Sequence, residues 1–393
     1  MLIKSLINLG LILTPFFIWQ GYSSREPKMA LAVALALALG LLAVYEGKLK
    51  AFRNKWVLFF LGYMLLNFYF APKPEVRMFD MNVSIFWVWR PMFVIMCFAL
   101  MLFTISSLEF TQEDRKRMLN IMVWSGFIIS LYMFVQRLGF DQWFMHIGGN
   151  LKEELTPGNV GATLGNPVVA SSLLILIIPV ALYLRKFGKA FAMALAVCIT
   201  ESQMAIGSMF LGIIAIYALK NERRFIFVIS LLIIAVGIIA ALWLKYPQEA
   251  RKHISDKDRF RMWTEVVKDL KDPIVENSVA RYPLTGYGMG SFAMIFPLKH
   301  KSEYGRFSQA HNDYVELLFN TGIIGIVLFL SAIGKLFKDN FVECRADREK
   351  RYLLGSFICI AICATGLFVF QLGAHAYFTV VILGLLNNKG GIV

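Results

Sequence analysis

One stretch of this 393-residue chain concentrates the side chains that could do chemistry. Arg259 and Arg261 open the run Asp258-Arg-Phe-Arg-Met-Trp-Thr-Glu-Val-Val-Lys-Asp-Leu270, Gly286, Gly288 and Gly290 follow at alternate positions, and His311 stands in Gln309-Ala-His-Asn-Asp-Tyr314. Guanidinium forks suit phosphate oxygens. Alternating glycines allow close backbone approach and conformations closed to other residues, so their turn could admit a phosphate or a sugar. A histidine donates, accepts or relays a proton near neutral pH. Plainer readings stand beside these: an amphipathic cover helix whose arginines touch lipid phosphates, and a surface histidine that only hydrogen-bonds locally.

The elements that must carry these residues follow from periodicity. Phe260, Trp263, Val267 and Leu270 recur at helical spacing, Asp256 or Asp258 can cap that helix, and Pro273 stops it. Its aromatic face suits the membrane–water boundary, where Trp packs at headgroup level. His311 falls at the junction between this hydrophilic segment and an apolar entry at 314–334. A single soluble core is excluded, because 58% of the residues are hydrophobic and only 17% charged. Apolar stretches suited to roughly 30 Å of hydrocarbon occur near 5–20, 29–45, 56–71, 86–106, 117–137, 168–184, 188–201, 203–219, 225–244, 314–334, 352–370 and 372–387. The first reads as a retained helix, since Trp19-Gln-Gly-Tyr22 makes a poor cleavage site. The expectation is an all-α polytopic membrane protein of about twelve transmembrane helices. Helices one to nine lie in 1–244, a large periplasmic loop with an amphipathic helix in 245–312, and helices ten to twelve in 313–393.

The formal charge of +14 invites a nucleic-acid reading, but the cations cluster in short segments between apolar runs, such as Lys48 to Lys55 and Arg345 to Arg351. With the N-terminus inside, 21 Lys and Arg face the cytoplasm against seven in short segments opposite, which orients the chain N-in and C-in. No nucleic-acid partner is expected; the bilayer is. Cys97, Cys198, Cys344, Cys359 and Cys363 are placed for neither a disulfide nor a zinc site, and Cys359 and Cys363 read as small buried hydrophobes. No metal site and no cofactor are expected. Gly-x-Gly-x-Gly does not follow a strand as a dinucleotide fingerprint requires, and no Gly-x-Ser-x-Gly, Walker A or His-Glu-x-x-His motif is present. Arg90 and Arg137 read as interface anchors, Glu201 as a turn or a site residue, and His375 as a hydrogen-bonding partner for a neighbouring helix.

Read together, Arg259-x-x-x-Trp263, Pro283-x-x-Gly286-x-Gly288-x-Gly290-x-Phe292, Ala310-His311-Asn312-x-Tyr314 and Thr321-Gly322-Ile-Ile-Gly325 resemble the signature region of the O-antigen ligase and O-antigen polymerase superfamily. Leu164-Gly-Asn-Pro167, with Pro179 ending its apolar run, is similar to that family's sixth span. The resemblance implies a GT-C-like, metal-independent glycosyltransferase of the bacterial inner membrane, acting on the periplasmic face. The implied donor is a glycan on undecaprenyl diphosphate. The implied acceptor is lipid A-core for a ligase or a growing glycan chain for a polymerase; protein-glycosylating relatives stay open. By the family pattern Arg259 holds the donor diphosphate and His311 takes the catalytic position, as acceptor base or as a donor-binding group. One departure concerns the eighth span, where relatives carry Ser-Arg and this chain has Ser202-Gln203. Gln203 can hydrogen-bond phosphate but brings no charge, so either a loop arginine such as Arg261, Arg281 or Arg306 substitutes at the diphosphate or the lipid carrier is held differently. A lipid-linked sugar transporter or flippase is the reading from another class; one asymmetric loop and no visible half-to-half similarity rank it lower.

Overall fold

The computed structural model describes residues 2–17, 25–50, 54–70, 77–78, 81–82, 84–140, 160–221, 223, 257–270, 282–300 and 309–388. Among them the chain is helical apart from an antiparallel pairing of Arg77–Met78 with Met81–Asn82. In chain order the helices are α1 (Leu2–Phe16), α2 (Arg25–Tyr45), α3 (Lys55–Phe70), α4 (Ser84–Ser107), α5 (Gln112–Arg137), α6 (Pro167–Tyr183), α7 (Phe187–Ile199) and α8 (Gln203–Ala218). Then come α9 (Lys257–Asp269), α10 (Tyr282–Thr285), α11 (Phe292–Lys299), α12 (Asp313–Ala346), α13 (Arg348–Cys363) and α14 (Gly373–Asn387). Among the described residues four stretches, Glu26–Tyr45, Arg90–Ser107, Gln112–Arg137 and Asp313–Ala346, are long and apolar enough to cross a membrane, and six further apolar helices are shorter. The apolar stretches read from the sequence fall on helices with two exceptions: 225–244 lies outside the described residues, and 352–370 is helical only to Cys363, followed by a turn and the short 3-10 segment Val369–Gln371.

The chain divides into two compact units. The first comprises Met1–Arg53, Met96–Tyr217 and Asp339–Val393. Its axis is α6, where every residue from Val169 to Ala181 is buried, as expected of a helix apolar all the way round. Asn166 starts it, its side-chain oxygen accepting from the backbone N–H of Val168 (2.9 Å) and Val169 (3.3 Å), with Pro167 in the first turn where no N–H is needed. Pro179 lies inside α6 rather than at its end, and the helix continues to Tyr183. Around α6 pack α5, α7 and α13. The α8–α13 approach depends on small residues, since a Cβ at Gly212 would stand 1.9 Å from Cys359 Sγ. His375 on α14 is buried with Nε2 2.8 Å from Ser172 Oγ and 3.0 Å from the Val169 carbonyl, a cross-helix hydrogen bond to α6.

The basic cluster 335–351 is helical, where the sequence suggested a loop. α12 runs on to Ala346, and Arg348 to Arg351 form the first turn of α13, capped by the Asp347 carboxylate accepting from Lys350 N–H at 3.2 Å. Charges here are absorbed locally: Lys350 pairs with Glu343, and Arg351 Nε donates to the Cys344 carbonyl at 2.8 Å. Deeper in, Arg115 on α5 meets Glu349 at 2.5 Å and donates to the Leu385 carbonyl at 3.0 Å, while Tyr183 O–H donates to Glu349 at 2.9 Å. Both charged side chains are about nine-tenths buried, at 11% and 10% exposure.

The second unit comprises Asn54–Ile95 and Ala218–Lys338. α3 and the stretch of α12 up to Lys338 form its apolar part, joined by Asn54 Nδ2 donating to the Ala332 carbonyl at 2.9 Å and by Phe60 against Phe329 with ring centroids 5.4 Å apart. At its other end α9, α10 and α11 gather over the start of α12.

Removing one partner of a desolvated pair strands the other charge, which typically costs on the order of 3 kcal/mol, whereas an apolar pair of similar volume is tolerated. Glu349→Ala is therefore expected to lower the thermal unfolding midpoint in detergent markedly, and the double variant Arg115→Met/Glu349→Leu to recover most of it. A double variant no more stable than Glu349→Ala would show that the pair does not act this way.

Candidate functional site

The site region is organised by a break in a helix. Gly322 has φ 64° and ψ −167° inside α12, so the carbonyls of the preceding turn leave the helical ladder. Three donors from elsewhere take them up: Tyr287 N–H to the Phe319 carbonyl (2.9 Å), Gly288 N–H to the Asn320 carbonyl (2.8 Å) and Tyr63 O–H to the Thr321 carbonyl (2.7 Å). The glycine segment is thus laid against the broken turn like a short added strand. It comes very close there: a Cβ on Gly286 would stand 2.5 Å from Gly322 N, and one on Gly322 would stand 2.3 Å from the Leu284 carbonyl oxygen. Gly286, Gly288 and Gly290 have φ of 68°, 103° and 79°, all in the region that favours residues without a Cβ. Asn320 secures the far end of the loop, its Oδ1 accepting from Ser291 Oγ–H at 3.1 Å and Phe292 N–H at 3.0 Å.

α9 packs on this platform. Met262, Val266 and Leu270 are buried with Tyr287, Phe292, Ile295, Phe296, Ala310 and Phe319 in one cluster, and Trp263 packs against it. The rings interlock: Tyr287 stacks on Phe319 at 4.5 Å between centroids, and Phe292 lies edge-on to Phe319 at 5.3 Å. The buried face is therefore 262, 266 and 270 rather than the 260, 263, 267 and 270 face read from the sequence, and Val267 is 48% exposed. Four apolar residues at helical spacing mark a stripe but not which edge of it is covered; the aromatic platform decides that. The helix starts at Lys257, so Asp258 lies within it, while Asp256 and Pro273 lie outside the described residues. At its C-terminal end the Asp269 carbonyl accepts from Tyr287 O–H at 2.5 Å, and the buried Asp269 carboxylate lies 2.9 Å from Nε2 of His300.

The first turn of α9 carries Arg259, half-buried, and Arg261, exposed. One turn further, Trp263 Nε1–H donates to the carbonyl of Ala310 at 2.7 Å. Ala310 immediately precedes His311, so the helix that carries Arg259 is tied directly to the turn that carries His311. His311 is half-buried, with Nδ1 shut away from solvent and a left-handed φ of 50°. Asn312 then starts α12, its Oδ1 accepting from Tyr314 N–H (3.0 Å) and Val315 N–H (3.1 Å). Arginine helix, glycine loop and histidine turn accordingly share one folded unit and one aromatic core.

The remaining sequence candidates are distributed differently. Gln203 is the exposed first residue of α8, in the first unit. Arg281 and Arg306 lie outside the described residues. Arg90 is half-buried on α4. Glu201 occupies a left-handed turn with an exposed carboxylate 4.0 Å from Arg137, a weak surface pair. Among the described residues no group of three His, Cys, Asp or Glu is placed to hold a metal ion. Sequence reasoning passed over Asn320, Tyr63 and Glu316. A glycine inside an apolar run is the one available signal for the first two, since it punctuates a helix and frees carbonyls that need donors.

Fold and site define a multi-pass, all-helical membrane protein whose hydrophilic excursion builds a cationic helix, a glycine loop and a histidine turn around one core. Residues 189–330 match the family model described as O-antigen ligase, which supports the resemblance of this region to the O-antigen ligase superfamily. The match takes in Arg259, all three glycines and His311, and supports a membrane glycosyltransferase-like enzyme with a ligase- or polymerase-type role in O-antigen processing. No curated protein matches the chain.

Because Gly286 meets backbone atoms that cannot swing aside, Gly286→Ala combines a strained φ with a steric clash and should undock the loop. Limited proteolysis is expected to cut the 282–300 segment much faster than in the parent protein; equal protection would show that the close approach is dispensable.

Proposed function

We propose that the protein transfers a glycan from undecaprenyl diphosphate to lipid A-core at the periplasmic face of the bacterial inner membrane. The chain is oriented N-in and C-in. The observation that carries this is the Trp263–Ala310 hydrogen bond, which joins the Arg259 helix to the His311 turn beside three left-handed glycines. Arg259 grips the donor diphosphate, helped by Arg261 and, from segments outside the described residues, Arg281 and Arg306. Gly286, Gly288 and Gly290 shape the loop against which the donor lies.

The chemistry then follows. His311 accepts the proton of an acceptor hydroxyl as its oxygen forms a bond to the anomeric carbon. The bond from that carbon to the diphosphate oxygen breaks, and the lipid diphosphate leaves with the electron pair. Negative charge grows on the leaving group while the anomeric carbon becomes electron-poor, so a fixed guanidinium at the diphosphate stabilises the transition state more than the ground state. Lysine at position 259 keeps the charge but loses the fork.

Reconstitution with a lipid-linked glycan and lipid A-core tests this. Arg259→Ala and His311→Ala are each expected to reduce transfer by about 10²–10³-fold, as for loss of a preorganised catalytic contact, with Arg259→Lys in between. Product formation unchanged by both alanine variants would remove these residues from the mechanism. Extension of the lipid-linked glycan in place of modified lipid A-core would assign the polymerase reaction instead, and movement of intact donor across vesicles without consumption would assign transport.

A further inference from the structure

His311 sits in a backbone conformation that a residue with a Cβ adopts reluctantly, so something around it must impose that conformation. The preceding residue shows what does. Ala310 is fully buried, and both its backbone groups are taken by side chains from two different helices. Its N–H donates to Glu316 Oε2 at 3.0 Å, and its carbonyl accepts from Trp263 Nε1–H at 2.7 Å. The carbonyl belongs to the peptide that enters His311, so fixing it fixes the plane from which the histidine side chain departs.

Glu316 is not needed to start the helix. Asn312 already accepts from Tyr314 N–H and Val315 N–H, and its own carbonyl receives Glu316 N–H at 3.0 Å. The Glu316 carboxylate instead reaches back past that cap to a residue two positions outside it. A carboxylate acceptor makes a stronger bond to a buried N–H than a neutral one, and its effect is to immobilise Ala310. Trp263, one turn along α9 from Arg259, completes the grip from the opposite side and links its setting to the position of the arginine helix.

We propose that Glu316 and Trp263 are positioning residues for His311: together they clamp the two peptides that flank Ala310 and present the imidazole to the acceptor hydroxyl. The proposal rests on the transferase reading above. Chemical steps are sensitive to displacements near 1 Å, which cost about 10²-fold, whereas binding of the diphosphate relies on other groups. Glu316→Ala and Trp263→Phe should therefore lower kcat by about 10- to 100-fold while KM for the lipid-linked donor changes less than about threefold. Glu316→Gln keeps an acceptor oxygen and should restore kcat to within about threefold of the parent. The double variant Glu316→Ala/Trp263→Phe should lose less than the product of the two single losses, because both bonds fix one residue, Ala310.

The assay is transfer in proteoliposomes, with detergent thermal midpoints measured alongside. Glu316→Gln and Trp263→Phe conserve volume and keep the test valid should Glu316→Ala not fold. Parent-like kcat in these two variants and Glu316→Ala, with His311→Ala inactive, would overturn the clamp alone. A rise in donor KM with kcat unchanged would also overturn it. His311→Ala as active as the parent would overturn the transferase reading, and the clamp with it.

Discussion

The second unit depends on one break in backbone hydrogen bonding. An apolar helix interrupted at Gly322 exposes carbonyls that neither lipid nor an apolar core can satisfy, and leaving such groups unpaired is costly. The glycine loop, Tyr63 and the backbone of Tyr287 supply the missing donors. Docking the loop is thus the condition under which the break persists, and the break is the condition under which the loop has a fixed shape. Gly286 and Gly322 are mutual requirements, because each occupies the space a Cβ on the other would need.

Upon that docked loop the rest is packing. Phe292, Phe296, Tyr287 and Phe319 form a platform large enough to bury the Met262–Val266–Leu270 face of α9, which leaves Arg259 half-buried at the start of that same stripe and Arg261 exposed on the other side. An aromatic core gives rings preferred tilts as well as area, which makes the seat of α9 more definite than aliphatic packing alone would. The first unit solves a different problem. Its central helix α6 is buried on every side, and its few desolvated charges, Arg115 and Glu349 chief among them, satisfy one another. Its helices are held close by small residues such as Gly212.

Much was legible in the chain itself. A composition with 58% hydrophobic side chains and apolar runs of helical length leaves little but a helical membrane protein, and most of those runs coincide with helices where the residues are described, the one at 352–370 breaking after Cys363. Residue types at the site were equally readable: alternate glycines, two arginines at a helix start and a histidine before an apolar run are local patterns, and the match over 189–330 spans them. Periodicity also placed a helix at 257–269, though it chose the wrong edge of the apolar stripe.

What sequence could not decide is everything that depends on a partner distant along the chain. Trp263 and Ala310 are 47 positions apart, Tyr63 and Thr321 are 258 apart, and no local propensity pairs them. The continuation of α12 through a basic stretch, the use of Glu316 on a peptide before its own helix, and the covered face of α9 are likewise settled by which surface arrives opposite. Apolar pattern and residue chemistry are properties of the chain one segment at a time. Satisfaction of buried backbone groups is a property of the whole packed unit, and it is there that the histidine turn acquires its form.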